Sequence, residues 1–315
     1  MYAVMNSSEA LPEAPTWAIV GQGAIGLLAA CQAQLHHWPV ALWLRQPQAT
    51  HIDFQQLNQR HSQHHFLSWP ANSAITHIFI AVKAFDVQSC LTQLQPSLSP
   101  DAHIVLSHNG MGTLDDVHSQ LLPQQQLWFV STTHAAYKPG HGAYKPGPQQ
   151  LIHSGAGHSV IAPLTSTTQQ SSALVTGFMA DALGPLTEVE SIEPYLWQKL
   201  AINCLINPLT ALHTIHNGEL AQPQYQAQLQ QLLHEVCLVA QAEGYPLDES
   251  SCWQQVQQVI EKTAANRSSM LQDRQAGRPT ELNFISGYIL KQANKHQLRL
   301  PAHAKLYQQC QDAGF

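Results

Sequence analysis

Charge is scarce in this chain: 11% of its 315 residues are Asp, Glu, Lys or Arg, against the ~25% of an ordinary soluble protein. Gln and His fill the polar positions instead. The 14 basic and 20 acidic residues leave a net charge of −6. That balance excludes the clustered cations of a nucleic-acid-binding surface and the polybasic patch of a membrane-surface protein. No Lys or Arg precedes Arg45, so the basic start of a secretory signal is missing. No apolar run reaches the ~18 residues needed to span a bilayer. The six cysteines contain no CxxC pair and are expected to be reduced, buried thiols of a cytoplasmic protein. Histidine is plentiful, with 19 copies. Yet His36-His37 and His61-x-x-His64-His65 lack the HExxH spacing or a carboxylate set, so surface histidines and no metal are expected. With so few cations, an anionic ligand has to be held by a handful of local ones, and each Lys or Arg within a motif gains weight.

Residues 1–15 (MYAVMNSSEALPEAP) are expected to form a mobile N-terminal extension. Short β-rich runs then alternate with helical stretches, the pattern of a parallel sheet. Strands are expected at 17–20, 40–44, 75–82, 103–107 and 127–133, and a hairpin over 150–160. AYKPG occurs at 136–140 and again at 143–147. It reads as a duplicated surface loop, with the alternative that its lysines border the mouth of a site. From about residue 191 the periodicity becomes helical, with helices expected at 194–212, 223–243, 249–265 and 281–296 and with Gly244 and Gly277 as stops. The expected architecture is α/β: an N-terminal Rossmann-type doubly wound sheet over 16–190, followed by an all-helical C-terminal domain over 191–315.

Two segments carry chemistry. Gly21-Gln22-Gly23-Ala24-Ile25-Gly26 is GxGxxG between a strand and a helix, the arrangement that brings backbone N–H groups and a helix N-terminus to a dinucleotide's phosphates. The next strand ends in Arg45, and no acid follows until Asp53. A cation there suits the 2′-phosphate of NADP(H), whereas an NAD site favours an acid. Lys83 follows the third expected strand and would face the same crevice. The second segment runs from Leu196 to Pro208. On a helix, Lys199, Asn203 and Asn207 fall at i, i+4 and i+8, one polar stripe on an apolar helix. A buried ammonium and two amides are costly unless paired. A ligand-facing stripe is therefore favoured over a structural polar network between domains. Pro208 removes a backbone bond and is expected to bend the helix.

His108-Asn109-Gly110-Met111-Gly112, LWQKLAINCLINPLTA at 196–211, Asn217-Gly218-Glu219, SSMLQD at 268–273 and Thr280-Glu281 stand in the order and spacing of the ketopantoate reductase (2-dehydropantoate 2-reductase) family, which residues 17–308 resemble. The resemblance implies NADP(H) contacts from Gly21, Gln22, Gly23, Ala24, Ile25, Gly26, Arg45, Lys83, Asn109 and Ala136. It implies Lys199 as proton donor and substrate contacts from Asn203, Asn207, Asn217 and Ser269, with Asn266 beside them. Glu281 corresponds to a carboxylate closing the site near cofactor and substrate. If Thr280 caps a helix, its dipole would keep that carboxylate ionised. The AYKPG duplication bears on the Ala136 assignment. The expected function is NADPH-dependent reduction of ketopantoate to pantoate in pantothenate biosynthesis, by a monomer or homodimer. Two alternatives stay open: a reductase of the same architecture acting on another 2-oxo acid or a sugar phosphate, and a non-catalytic NADP-binding sensor.

Overall fold

The structure is a computed structural model that describes residues 15–139 and 148–315. Most of the N-terminal extension and the second AYKPG copy lie outside the described residues. In chain order the elements are β1 (Trp17–Val20), α1 (Ala24–Leu35), β2 (Val40–Trp43), β3 (Thr50–Gln55), β4 (His61–Phe66), β5 (Ile75–Ile80), α2 (Val87–Leu94), β6 (Leu98–Leu106), α3 (Leu114–His118), β7 (Gln126–Thr132) and β8 (Ala135–Tyr137). β9 (Gln149–Gly155), β10 (Ser159–Pro163), α4 (Gln169–Leu183) and β11 (Leu186–Glu188) complete the sheet-bearing part. The helices α5 (Glu193–His213), α6 (Pro223–Ala242), α7 (Glu249–Lys262), α8 (Ser269–Gln275), α9 (Ser286–Lys295) and α10 (Pro301–Asp312) follow.

The main sheet has seven strands in the order β11-β10-β7-β6-β5-β1-β2. β1 pairs in parallel with β2 on one side and β5 on the other. The chain thus reverses its direction of travel at β1, and the carboxyl ends of β1 and β5 flank a switch-point crevice. All four residues of β1 are buried, as both faces of a central parallel strand require. Trp17 and Ile19 face a core shared with α1 and α4, where Trp17 stacks on Phe178 with 3.8 Å between ring centroids. Ala18 and Val20 face a second core, completed by α2 and by Ile192 and Leu196. The six cysteines are all free and buried.

A second sheet of order β4-β3-β9-β8 packs beside the first. It corrects two expectations. Residues 150–160 do not form a hairpin: β9 pairs with β3 and β8, while β10 crosses to pair antiparallel with β7. The buried Leu151 and Ile161 both join the α1/α4 core, but through different sheets. His64, expected at the surface, is buried in β4. It is held by Ser62 Oγ at 2.8 Å and Gln34 Oε1 at 2.7 Å.

The described residues beyond Glu188 form only helices and loops, packed around the 21-residue α5. The helix continues through Pro208 to His213. Gly244 and Gly277 adopt positive φ just past α6 and α8, the left-handed stop that glycine supplies. The helix expected from 281 begins instead at Ser286, after a short 3₁₀ turn at Leu282–Phe284. Among the described residues Thr280 Oγ1 accepts only the Leu282 N–H, at 3.4 Å. No described helix is long and apolar enough to cross a membrane.

Candidate active site

Gly21–Gly26, Arg45 and Lys83 follow β1, β2 and β5, three neighbouring strands at the carboxyl edge of the main sheet. Gly21 takes φ +75° and donates its N–H to Trp43 O at 3.0 Å, so the turn leaves β1 sharply. Gly23 is the N-cap of α1, with no side-chain cap and no acid in the first turn. A twelve-residue helix with an uncapped N-terminus at the mouth of a crevice suits a phosphate group. The Gln22 side chain is fixed by Thr50 Oγ1 at 3.1 Å and by Gln149 Nε2 at 3.3 Å, so the second sheet steadies the turn.

Arg45 is exposed, and its nearest anionic partner is the exposed Asp86, at 3.8 Å. An exposed pair at that distance contributes little and leaves the guanidinium open to a ligand. Ala136 lies half-buried in β8, which packs beside α1.

Lys83 is drawn away from solvent. Its ammonium donates to Asp273 Oδ2 at 2.6 Å and approaches Glu281 Oε2 at 3.4 Å. Burial alone would pull its pKa down, but the Glu281 and Asp273 carboxylates outweigh it and hold it above its ordinary value. Glu281, itself buried, also accepts from the Ala84 N–H at 3.1 Å and from Asn109 Nδ2 at 3.3 Å. Ala84 opens the 3₁₀ turn that leads into α2. The helix end near Glu281 is therefore that of α2, across the crevice, and not one beginning at Thr280 as expected.

Gly110 shows why this contact needs a glycine. It takes φ +77°, and a Cβ there would collide with the Phe284 carbonyl. The next N–H, of Met111, donates to that same oxygen at 2.9 Å. The HNGMG loop and the segment after Glu281 thus meet backbone to backbone.

Lys199, in the second turn of α5, donates to Thr132 O at the end of β7, at 2.9 Å. Burial lowers its pKa to about 8, with the Glu281 charge opposing the fall. Asn203 is half-buried and Asn207 buried, so the stripe runs inward along α5. Asn217 is buried as well. Its Nδ2 donates to Thr263 Oγ1 at 2.9 Å, and its Oδ1 has no partner among the described residues. A buried acceptor without a donor is costly and suits a ligand hydroxyl. Ser269 and Asn266 are exposed. The neighbouring Ser268 is the buried one, capping α8 through Leu271 N–H and accepting from Thr210 Oγ1. Asn266 contributes its backbone oxygen, which accepts the Asn217 N–H at 3.0 Å.

Asp273 was not singled out by sequence reasoning, although it ends the SSMLQD string. Besides Lys83 it binds Arg278, with Nε at 3.0 Å and Nη2 at 2.9 Å. Among the described residues no group of three or more His, Cys, Asp or Glu is arranged to hold a metal ion.

A doubly wound sheet with a glycine-rich turn at its switch point, followed by a helix that presents a half-buried lysine to the sheet's carboxyl edge, is the architecture of a dinucleotide-dependent oxidoreductase. Residues 17–165 match the family described as Ketopantoate reductase PanE/ApbA, and residues 191–313 match Ketopantoate reductase PanE/ApbA C terminal. The 2-dehydropantoate 2-reductase of Vibrio cholerae is 35% identical over 304 residues, covering 92% of this chain and 95% of that protein. That of Yersinia pestis is 33% identical, covering 92% of each. This chain belongs to the ketopantoate reductase family. Among solved structures, the family member from Ralstonia eutropha JMP134 superposes with a TM-score of 0.80 at 22% identity, covering 94% of this chain and 97% of that one. A D-mandelate dehydrogenase solved with NADH and anilino(oxo)acetate reaches 0.83 at 18% identity, covering 95% and 98%. At those identities the likeness is one of fold.

Proposed function

We propose that this chain reduces 2-dehydropantoate (ketopantoate) to pantoate with NADP(H), a step of pantothenate biosynthesis, as a cytoplasmic monomer or homodimer. The observation that carries this reading is the ammonium of Lys199. It is desolvated on an apolar helix, is held at the carboxyl end of β7 by Thr132 O, and lies within the field of the Glu281 carboxylate. Neither a structural network between domains nor a dinucleotide sensor would need an ammonium held at the carboxyl edge of the sheet near Glu281.

The residues over 16–190 hold the cofactor and those over 191–315 bring the catalytic groups to it. The uncapped turn of α1, Arg45 and Lys83 form the dinucleotide cradle. When bound, a nicotinamide dinucleotide supplies hydride to the 2-oxo carbon. As charge grows on the carbonyl oxygen, Lys199 stabilises it electrostatically and then gives it a proton. Thr132 O orients the amine until the substrate oxygen displaces it. Asn203 and Asn207 line the path inward, and the buried Oδ1 of Asn217, which has no donor among the described residues, accepts from the substrate's 4-hydroxyl once substrate is bound. Glu281 holds Ala84, Lys83 and Asn109 together, fixing the crevice walls.

The test is direct. Purified protein should oxidise NADPH only when ketopantoate is added, with pantoate formed in equal amount. NADPH binding without turnover would leave a sensor, and turnover only with other 2-oxo acids would overturn the substrate.

A further inference from the structure

The crevice holds more positive charge than the residues discussed so far account for. Lys138, from the first AYKPG copy, reaches back over the glycine-rich turn and donates to Gln22 O at 2.8 Å. An ammonium has three hydrogens to place, and no carboxylate lies within ion-pair distance of this one among the described residues. Burial first, and the charge of Arg278 second, hold its pKa below the ordinary lysine value. Arg278 belongs to the loop between α8 and the 282–284 turn and is anchored to Asp273, which also holds Lys83. Lys83 and Arg278 pair with Asp273 and Glu281, Lys199 lies within the field of Glu281, and Lys138 lies within that of Arg278, so this chain of neighbours holds four cations and two carboxylates. That leaves a local surplus of two positive charges in a chain whose net charge is −6. Packing like charges together against a desolvated backbone is unfavourable unless an anion joins them.

We propose that Lys138 and Arg278 grip the diphosphate of the dinucleotide from above the Gly21–Gly26 turn, one cation from each side of the crevice. This rests on the dinucleotide reading given above. The surplus of two charges equals the charge of a diphosphate linkage. The backbone N–H groups at the start of α1 approach that linkage from below, and Lys138 sits on the carbonyl of the turn itself. Because Arg278 is carried by the helical part, the same grip draws the helical part onto the bound cofactor. It gives the first AYKPG copy a cofactor-binding task rather than that of a plain surface loop.

Dissociation constants for NADPH, NADH and adenosine 2′-phosphate, in wild type and variants, test this. Lys138→Gln can still donate a hydrogen bond to Gln22 O but carries no charge. It should weaken NADPH and NADH by the same factor, about ten- to a hundredfold for a lost charge-assisted contact, and leave adenosine 2′-phosphate unchanged. Lys138→Arg should bind both dinucleotides within a few-fold of wild type, and Arg278→Gln should repeat the uniform loss. Full affinity in Lys138→Gln would reduce Lys138 to a staple of the turn and overturn the proposal. A loss confined to NADPH, or shared by adenosine 2′-phosphate, would move Lys138 to the adenosine end and overturn it equally. Wild-type protein that binds neither dinucleotide would remove the cofactor reading itself, an outcome distinct from either.

Discussion

Lys199 Nζ lies 2.9 Å from Thr132 O, which ties the second turn of α5 to the last residue of β7 and holds the amine over the crevice. Replacing Lys199 with Ala should lower kcat by at least ~10²-fold, because a positioned general acid contributes 10²–10⁴. The dissociation constant for NADPH should stay within a few-fold, since Lys199 is not among the residues that hold the dinucleotide. Near-normal turnover in this variant would remove Lys199 from the reaction.

The pKa of Lys199, about 8, sets a pH dependence. Reduction needs the protonated amine, so kcat/KM, which reports the free enzyme, should be flat below about pH 8 and fall tenfold per unit above it. Lys199→Arg, which stays charged throughout, should give a low rate with no such basic limb. A wild-type profile flat to pH 10 would contradict the assignment.

Cofactor preference should follow Arg45. NADPH should be preferred to NADH, and Arg45→Asp should erase or reverse the preference at a cost of roughly 1.5–3 kcal/mol. Equal use of both cofactors by the wild type would end the argument from Arg45.

Acid should destabilise the fold through its neutral histidines. Burial, with a smaller push from His103, lowers His77 to about 4. Burial likewise lowers His64, His103, His108, His134 and His153. The unfolded chain then binds more protons than the native one as pH falls below ~6.5. The stabilisation is complete above that pH and is lost as pH descends toward the folded values. His77 alone accounts for on the order of 3 kcal/mol by pH 4. Denaturant midpoints should therefore drop steadily between pH 6.5 and 4, and His77→Phe should flatten the slope. A midpoint independent of pH over that window would contradict this.

Much of the site could be read from the chain because its signals are local. Gly21–Gly26 follows an apolar tetrapeptide and opens a helix, Arg45 and Lys83 stand two and three residues past strands, and Lys199, Asn203 and Asn207 share one helical face. What escaped depends on pairing across long sequence distances. The β3–β4 hairpin was hidden because its buried alternation, Thr50, Ile52, Phe54, then His64 and Phe66, is interleaved with His and Gln that blur the period. The 150–160 stretch has strand propensity, but nothing local says that its two halves belong to different sheets. Asp273 is joined to the glycine-rich half of the site through Lys83, 190 residues away.

Glu281→Ala removes the acceptor shared by Lys83, Ala84 and Asn109. It should harm ketopantoate turnover more than that of 2-oxoisovalerate, which lacks the hydroxymethyl group, so the gap between the two should narrow. An unchanged ratio would detach Glu281 from substrate recognition.

The decisive measurement is kcat/KM with NADPH for ketopantoate and for 2-oxoisovalerate on the wild-type protein. The polar set of Asn203, Asn207, Asn217 and Glu281 offers more hydrogen-bonding capacity than a 2-oxo carboxylate alone can satisfy, and the buried Asn217 Oδ1 has no protein donor among the described residues. A site built to bind a hydroxyl can reject its absence by as much as ~10⁴–10⁵. Ketopantoate should therefore be favoured by at least ~10²-fold, whereas a merely hydrated cleft would separate the two by only about tenfold, the lost apolar contact. Comparable efficiency on both compounds, or turnover of neither, would contradict ketopantoate as the substrate.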